Sequence, residues 1–309
     1  MEAYSEFAEL YDLFMDNYPY KKRLSAITKI LKKHGIRDGL VCELGCGTGT
    51  FTRMLDAKGY DMIGIDSSEQ MLQIAELACD ADETGESAAS FNAQDNEGEH
   101  DTPKSTEGFE KNSNSWNCGV AGSTDSEMES ADGREETKKI LYLNQDMRSF
   151  ELYGTVRAFV SICNTMNYIT SYEDMVRVLS LVNNYLDPGG IFVFDMDTIY
   201  EYKNVIGNRT IAEDREEASF IWDNEYDPES RLNIYDMTFF RKMSGDNYRR
   251  FDERHIQRAY TKAEMKRVIK AAGLEFLGVT DADSGKAPAR MSETLLYVVR
   301  EHGKALSDM

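Results

Sequence analysis

The chain has 309 residues with 41% hydrophobic content, a formal net charge of −20 and a pI of about 4.7. This length suffices for one large domain with an appendage or for two modest domains, and so acidic a protein is disfavoured as a general binder of nucleic-acid phosphates. Its five cysteines form no C-x-x-C pair, its first residues resemble no secretory signal, and it has no long apolar run, so we expect no metal site, no disulfide framework and no membrane span, in a cytoplasmic protein.

The first part of the chain alternates between predicted helices and strands. In chain order these are helices over 4–15 and 19–33, a strand over 40–44, a helix over about 49–58, a strand over 61–66 and a helix that reaches about residue 79. Ser67 with Gln70 gives the capping-box pattern for the last helix. The alternation predicts parallel strands in one sheet.

Residues 80–138 interrupt this alternation. They hold 16 Asp and Glu against 4 Lys and Arg, with no Ile or Leu and one Val. Such a segment cannot bury enough apolar surface to offset its ordering entropy, which predicts an acidic, disordered insertion. Phe91, Phe109 and Trp116 keep a folded subdomain open as the alternative. Because the insertion carries so much of the negative charge, a local basic patch for RNA on the remaining chain is not excluded.

The second part resumes the alternation and then changes character. Strands over 140–143 and 156–162, a helix over 171–186, a turn over 187–190 and a strand over 191–197 come first. Residues 210–260 are aromatic-rich and alternate in polarity, which predicts antiparallel strands with one wet face, called the lid below. Thr261 and Glu264 form a capping-box pattern that opens a helix, and two strands end the chain. We therefore assign 1–79, 139–209 and 261–309 to one α/β domain around the insertion and the lid.

A glycine-rich turn, Glu43-Leu-Gly45-Cys-Gly47-Thr-Gly49, follows the first strand. A dinucleotide fingerprint needs its third glycine three residues after the second, where this chain has Thr50, and a triphosphate loop needs a lysine that is absent. A tight turn without a ligand is the alternative. Asp66 ends the second strand, where a carboxylate can accept both ribose hydroxyls or else cap the next helix.

Together with Gln145-Asp146-Met147, these residues resemble the class I S-adenosylmethionine-dependent methyltransferases. The chain is most similar to a small bacterial-type subgroup with an N-terminal YDLFMD segment, an antiparallel lid and mostly unassigned substrates. The resemblance implies an α/β, doubly wound, mostly parallel seven-stranded sheet of order 3-2-1-4-5-7-6, with the last strand antiparallel. It also implies S-adenosylmethionine as the cofactor.

The resemblance further implies a set of cofactor-binding residues, which are Tyr11, Glu43, Gly45, Cys46, Gly47, Gly49, Asp66, Ser67, Met71, Asp146, Met147, Cys163 and Asn164. Within it, Glu43 would approach the methionine ammonium group, Asp66 would hold the ribose, and Asp146 would receive the adenine amino group. Asn164, expected to face the methyl group, cannot act as a base. Core packing is an equally good account of Tyr11.

Methyl transfer requires the protein mainly to align the reactants, and a base is needed only to remove a proton from the acceptor. In a strand, Glu253 and His255 share one face, so His255 beside Glu253 is a candidate for an oriented base. A polar pair on the wet face of the lid is the alternative. We expect methyl transfer to an unidentified acceptor, favouring a small molecule. An RNA or protein methyltransferase and a non-catalytic cofactor-binding regulator stay open, as does the oligomeric state.

Overall fold

The computed structural model describes residues 7–84 and 139–304, so both chain ends and residues 85–138 of the predicted insertion lie outside the described residues. Its helices and strands are, in chain order, α1 (Ala8–Phe14), α2 (Tyr20–Lys33), β1 (Gly39–Leu44), α3 (Thr50–Asp56), β2 (Tyr60–Asp66), α4 (Glu69–Thr84), β3 (Leu141–Asn144), β4 (Val156–Ser161), α5 (Tyr172–Tyr185), β5 (Leu186–Asp197), β6 (Arg209–Asp214), β7 (Ala218–Asp227), β8 (Leu232–Lys242), β9 (Tyr248–Arg258), α6 (Lys262–Ala271), β10 (Glu275–Asp281) and β11 (Thr294–Arg300). Two helical turns, Thr165–Tyr168 and Glu201–Ile206, follow β4 and β5. No helix in the part described combines the length and the apolar character needed to cross a bilayer.

The main sheet has seven strands in the order β10-β11-β5-β4-β1-β2-β3. β1 to β5 pair in parallel, whereas β11 is antiparallel to both β5 and β10. The predicted order 3-2-1-4-5-7-6 is therefore confirmed, with β10 and β11 as the sixth and seventh strands. The central strands are buried on both faces, which explains why β4 and β5 have almost continuous apolar runs rather than alternating ones.

The lid is a second, antiparallel sheet of four strands in the order β6-β7-β8-β9, inserted between β5 and α6. Its strands alternate as predicted. On β9, Glu253, His255 and Gln257 are buried, whereas Asp252 and Arg254 are exposed. The Glu253–His255 pair thus lies on the buried face, and the alternative that placed it on the wet face is wrong.

Three local predictions at element ends need correction. The hydroxyl of Ser68, rather than that of Ser67, accepts the Met71 N–H at 3.3 Å at the start of α4. The same helix runs to Thr84 instead of ending near Cys79, since side chains beyond that cysteine still have partners: Asp82 forms an ion pair with Arg53 of α3 at 3.4 Å.

The third correction concerns the turn predicted over 187–190, which lies within β5. These residues bond to the end of β11: Gly189 N–H donates to the Glu301 carboxylate at 2.8 Å, and Gly190 C=O accepts the Glu301 N–H at 2.8 Å. Gly189 has a φ of +74°, so the backbone bends there while staying at the sheet. By contrast, the capping box of Thr261 and Glu264 at α6 is confirmed.

Candidate functional site

A cavity of about 380 Å³ opens at the carboxyl ends of the parallel strands, where the predicted site residues converge. The predicted residues that line it are Tyr11, Gly45, Gly47, Asp66, Ser67, Met71, Asp146, Met147 and Cys163. Glu43 and Cys46 line a smaller space that adjoins it and shares Tyr11, Gly45, Gly47 and Cys163. Gly49 and Asn164 border neither space. Tyr11 combines the two roles considered for it, because its ring also packs edge-on against Phe7, with centroids 5.7 Å apart.

The glycine turn is shaped by the side chains that pack against it. Gly45, Gly47 and Gly49 all have positive φ, of +69°, +53° and +72°, a region that favours glycine. A Cβ at Gly45 would overlap the methyl group of Thr165, and one at Gly49 would overlap the hydroxyl of Tyr142. Gly45 and Gly49 are therefore glycine for packing as well as for their backbone conformation, whereas a Cβ at Gly47 would meet only the sulfur of Met71 at 4.0 Å.

Asp66 joins the glycine turn to the start of α4. One carboxylate oxygen accepts the Gly47 N–H at 2.9 Å and the other accepts the Ser68 N–H at 2.9 Å. Burial raises the pKa of this carboxyl, and these backbone donors oppose that rise. Asp66 thus holds the next helix, as one prediction had it, while it also lines the cavity, as the other required.

Glu43 is almost completely buried, with 1% of its surface exposed. Burial raises the pKa of its carboxyl to about 8, against a hydrogen bond from the Thr52 hydroxyl that favours the charged form. Asp66 and Asp195 add to the rise, since they are also negative. The smaller space beside Glu43 is consequently a place where a positive group would be stabilised.

Asp146 lines the cavity beside an arginine that the sequence analysis did not single out. Arg148 Nε lies 2.9 and 3.0 Å from the two carboxylate oxygens of Asp146, and its backbone N–H donates to one of them at 2.8 Å. These hydrogen bonds lower the pKa of Asp146. Both side chains line the cavity, so any group that binds Asp146 shares its carboxylate with Arg148.

The loop after β4 carries backbone strain. Cys163 and Asn164 have positive φ values of +59° and +51°, which costs a non-glycine residue about 1–3 kcal/mol unless its surroundings hold it. Asn164 N–H donates to the Asp195 carboxylate at 2.8 Å, and Cys163 N–H donates to Tyr18 Oη at 3.2 Å. Tyr18 O–H in turn donates to Asp195 at 2.9 Å. The sequence signal that marks Asp195 is a carboxylate within an otherwise apolar strand.

The two catalytic candidates lie behind the cavity wall rather than in it. His255 Nε2 is 3.0 Å from Glu253 Oε2, and both side chains are 3% exposed. Neither residue lines the cavity, but Tyr168 does, and its hydroxyl is 3.3 Å from His255 Nδ1. Sequence reasoning missed Tyr168 because it lies 87 residues from His255 along the chain.

Comparisons with known proteins find a matching family and a similar sequence. Residues 14–279 match the profile of a family described as a methyltransferase domain. YqeM of Bacillus subtilis strain 168, named as a candidate methyltransferase, is 28% identical over 295 residues that cover 95% of each chain.

Two solved structures share the fold. One, an S-adenosylmethionine-dependent methyltransferase from Clostridium acetobutylicum, has a TM-score of 0.71 at 24% identity, covering 97% of this chain and 99% of that one. The other, the amino pentose methyltransferase CalS10 of Micromonospora echinaspora with S-adenosylmethionine bound, has a TM-score of 0.58 at 13% identity, covering 97% and 98%.

Proposed function

We propose that this chain, which belongs to the methyltransferase domain family, transfers a methyl group from S-adenosylmethionine to a small-molecule acceptor. S-adenosylmethionine is the methyl donor: when bound, it supplies an electrophilic methyl carbon whose bond to sulfur breaks as the acceptor's lone pair attacks. The single observation that carries the proposal is the cavity itself, in which an open glycine turn, Asp66 at the end of β2 and Asp146 after β3 line one space.

The residues around this cavity suit each part of the cofactor. Asp66 would hold the ribose hydroxyls, with Ser67 beside it, because each carboxylate oxygen can accept a further donor in addition to its backbone N–H. Asp146 would receive the adenine amino group, and Met147 and Met71 would pack on the ring. Gly45, Cys46 and Gly47 would lie against the methionine arm.

The buried carboxyl of Glu43 is a group that a cation would stabilise in its charged form. Burial keeps this carboxyl protonated up to a pKa of about 8, and a positive group close to it would oppose that rise. The ammonium group of the methionine arm is such a group, directly or through a water molecule. Cys163, which lines both spaces, would face the methyl carbon, and the strained loop that it shares with Asn164 would help to align donor and acceptor. For proton removal we propose His255 with Glu253.

A small acceptor fits the site better than a polymer. The lid is anchored over α1 by ring contacts, with Phe7 stacked on Phe239 at 4.5 Å, and α1 also carries Tyr11 of the cavity lining. The net charge of −20 disfavours polyanions. One protein of the same fold is named as an amino pentose methyltransferase. An amino pentose is a small-molecule acceptor.

A labelled-methyl experiment tests this function. Purified full-length protein and methyl-labelled S-adenosylmethionine are incubated separately with a protein-free metabolite extract, total RNA and a protein extract. We expect label in the metabolite fraction only, and none with heat-inactivated enzyme. Label in RNA or protein would overturn the small-molecule assignment. Cofactor binding without transfer to any pool would favour a non-catalytic regulator.

A further inference from the structure

We infer that Tyr168 is the residue that takes the proton from the acceptor, with His255 and Glu253 behind it as a buried proton relay. The inference rests on the proposed methyltransferase function and goes beyond it by naming the group that touches the acceptor. It also restricts the acceptor to one whose reacting atom bears a proton, an amine nitrogen or a hydroxyl oxygen.

Position separates the three side chains into one that meets the cavity and two that do not. Tyr168 ends the helical turn that follows β4, is half-buried and lines the cavity. His255 and Glu253 are buried on the inner face of β9. The rings of Tyr168 and His255 meet edge-on with centroids 5.9 Å apart, and Tyr168 is the one of these three residues that lines the cavity. An acceptor in the cavity would therefore meet Tyr168 before His255 or Glu253.

Hydrogen bonding fixes which imidazole nitrogen carries the proton. A carboxylate only accepts, so the Glu253 oxygen 3.0 Å from Nε2 favours the tautomer with the proton on Nε2. Nδ1 then presents a lone pair to the Tyr168 hydroxyl, 3.3 Å away. The other Glu253 oxygen accepts the Phe7 N–H at 3.1 Å, which holds the carboxylate in place from the N-terminal side of α1. The Tyr168 hydroxyl, the His255 imidazole as the base and the Glu253 carboxylate that orients it thus follow one another in a single hydrogen-bonded chain.

Tyr168 and His255 account for the proton that the acceptor loses. As the lone pair of the acceptor atom bonds to the methyl carbon, the bond from that atom to its hydrogen breaks and the proton goes to Tyr168 Oη. The proton that Tyr168 held goes to His255 Nδ1, and the imidazolium is stabilised by Glu253. When the product leaves, the proton returns by the same route to water in the cavity. A phenol with an ordinary pKa of about 10 keeps its proton at neutral pH, so Tyr168 can take the acceptor's proton only as His255 takes the phenol's own.

The imidazole tautomer tests the relay without any acceptor. The chain has four histidines, so nitrogen-labelled full-length protein gives few imidazole signals, and His255→Gln identifies those of His255. Long-range proton–nitrogen correlation spectra should show His255 neutral with the proton on Nε2. Tyr168→Phe should leave that tautomer but shift the Nδ1 resonance, and Glu253→Gln should mix the tautomers. A proton on Nδ1 in the wild type, or an Nδ1 resonance unmoved by Tyr168→Phe, would overturn the inference.

Transfer rates supply the second test. The acceptor is supplied as the fraction of the metabolite extract that takes up label in the labelled-methyl experiment. Removing a positioned acid–base group typically costs about 10²–10⁴-fold, so Tyr168→Phe should lower kcat by at least about 100-fold while S-adenosylmethionine affinity stays within about twofold. Tyr235→Phe is the matched control: it removes a buried lid hydroxyl that donates to Gln257 at 2.7 Å, and it should keep wild-type turnover.

The outcomes separate the two proposals. If the wild type transfers methyl groups and Tyr168→Phe does so equally well, the relay is wrong and the methyltransferase function stands. If the wild type neither binds S-adenosylmethionine nor transfers its methyl group, the proposed function fails. In that event the tautomer measurement still decides whether Tyr168, His255 and Glu253 form the hydrogen-bonded chain described.

Discussion

Single atoms decide the shape of the glycine turn. Gly45 faces the methyl group of Thr165 at a φ of +69°, so any side chain there meets both a left-handed backbone and an occupied space. Gly245, in the turn between β8 and β9, has a similar φ of +62°, but among the described residues no atom lies within 4 Å of a Cβ placed there. The two glycines therefore differ in crowding while sharing the same backbone cost.

Gly45→Ala is expected to lower the free energy of unfolding by about 2–5 kcal/mol and to weaken cofactor binding. The left-handed backbone accounts for about 1–2 kcal/mol, and overpacking against Thr165 adds about 1–3 kcal/mol. Gly245→Ala, measured by the same chemical denaturation, should show the backbone cost alone. Adding Thr165→Ser to Gly45→Ala removes the blocking methyl group and should restore part of the loss. Equal losses in the two alanine variants would show that crowding plays no part.

At the scale of elements, α1 joins the lid to the cofactor cavity. Its aromatic side chains pack on the inner face of the lid, where Phe14 meets Phe220 edge-on with centroids 4.9 Å apart. Its other side reaches the glycine turn, since the Thr48 hydroxyl donates to Asp12 at 2.8 Å. Tyr11, on the same helix, lines the cavity. The position of Tyr11 thus depends on packing against a different sheet.

Phe14→Ala is therefore expected to weaken S-adenosylmethionine binding although Phe14 does not line the cavity. Loss of the ring costs about 3–5 kcal/mol at a fully buried site and less at this half-buried one, and it frees α1 from the lid. Calorimetry should show reduced affinity, and amide exchange should quicken in residues 8–14. Phe276→Ala on β10, which packs on the main core, is the control that loses stability without losing affinity. Unchanged affinity in Phe14→Ala would mean that α1 is not held by the lid.

The helices and strands could largely be predicted from the sequence, whereas the contacts between them could not. Apolar periodicity placed the strands, the alternating lid face and the carboxylates at strand ends, because these depend on neighbours within a few residues. Tyr168 and His255, or Asn164 and Asp195, meet only after the sheet has assembled, and no local pattern marks such pairs. Arg148 was missed for another reason: it pairs with Asp146 two residues away, but so polar a segment carries no periodic signal.

For the whole molecule, buried carboxyls make stability depend on pH. Burial raises the pKa of Glu43 to about 8, of Asp197 to about 8 and of Glu201 to about 7. In the unfolded chain these groups have ordinary values near 4, so the folded state binds more protons between about pH 4 and pH 8. Their contribution to stability is complete below pH 4 and is lost as the pH rises to 8.

We expect the free energy of unfolding to be lower at pH 8 than at pH 5.5 and Asp197→Asn to remove more than about 1 kcal/mol of that difference. The asparagine can still accept the Thr294 hydroxyl, which donates to Asp197 at 2.8 Å. Glu264→Gln is the control, because the pKa of Glu264 is about 2 and its charge does not change in this range. Denaturant titrations at both pH values measure the effect. An unaltered difference in Asp197→Asn would contradict the assignment of a buried, protonated carboxyl.

Calorimetric titration of the full-length protein with S-adenosylmethionine, beside a parallel titration with NAD, shows which cofactor the cavity binds. The geometry of the glycine turn, Asp66 and Asp146 predicts one site per chain for S-adenosylmethionine and no heat with NAD. Asp66→Ala should weaken binding at least about tenfold, equivalent to about 1.4 kcal/mol, whereas Asp252→Ala, on the exposed face of the lid, should not. Binding of NAD without S-adenosylmethionine, or equal affinity in the wild type and Asp66→Ala, would contradict the assignment of this cavity to S-adenosylmethionine.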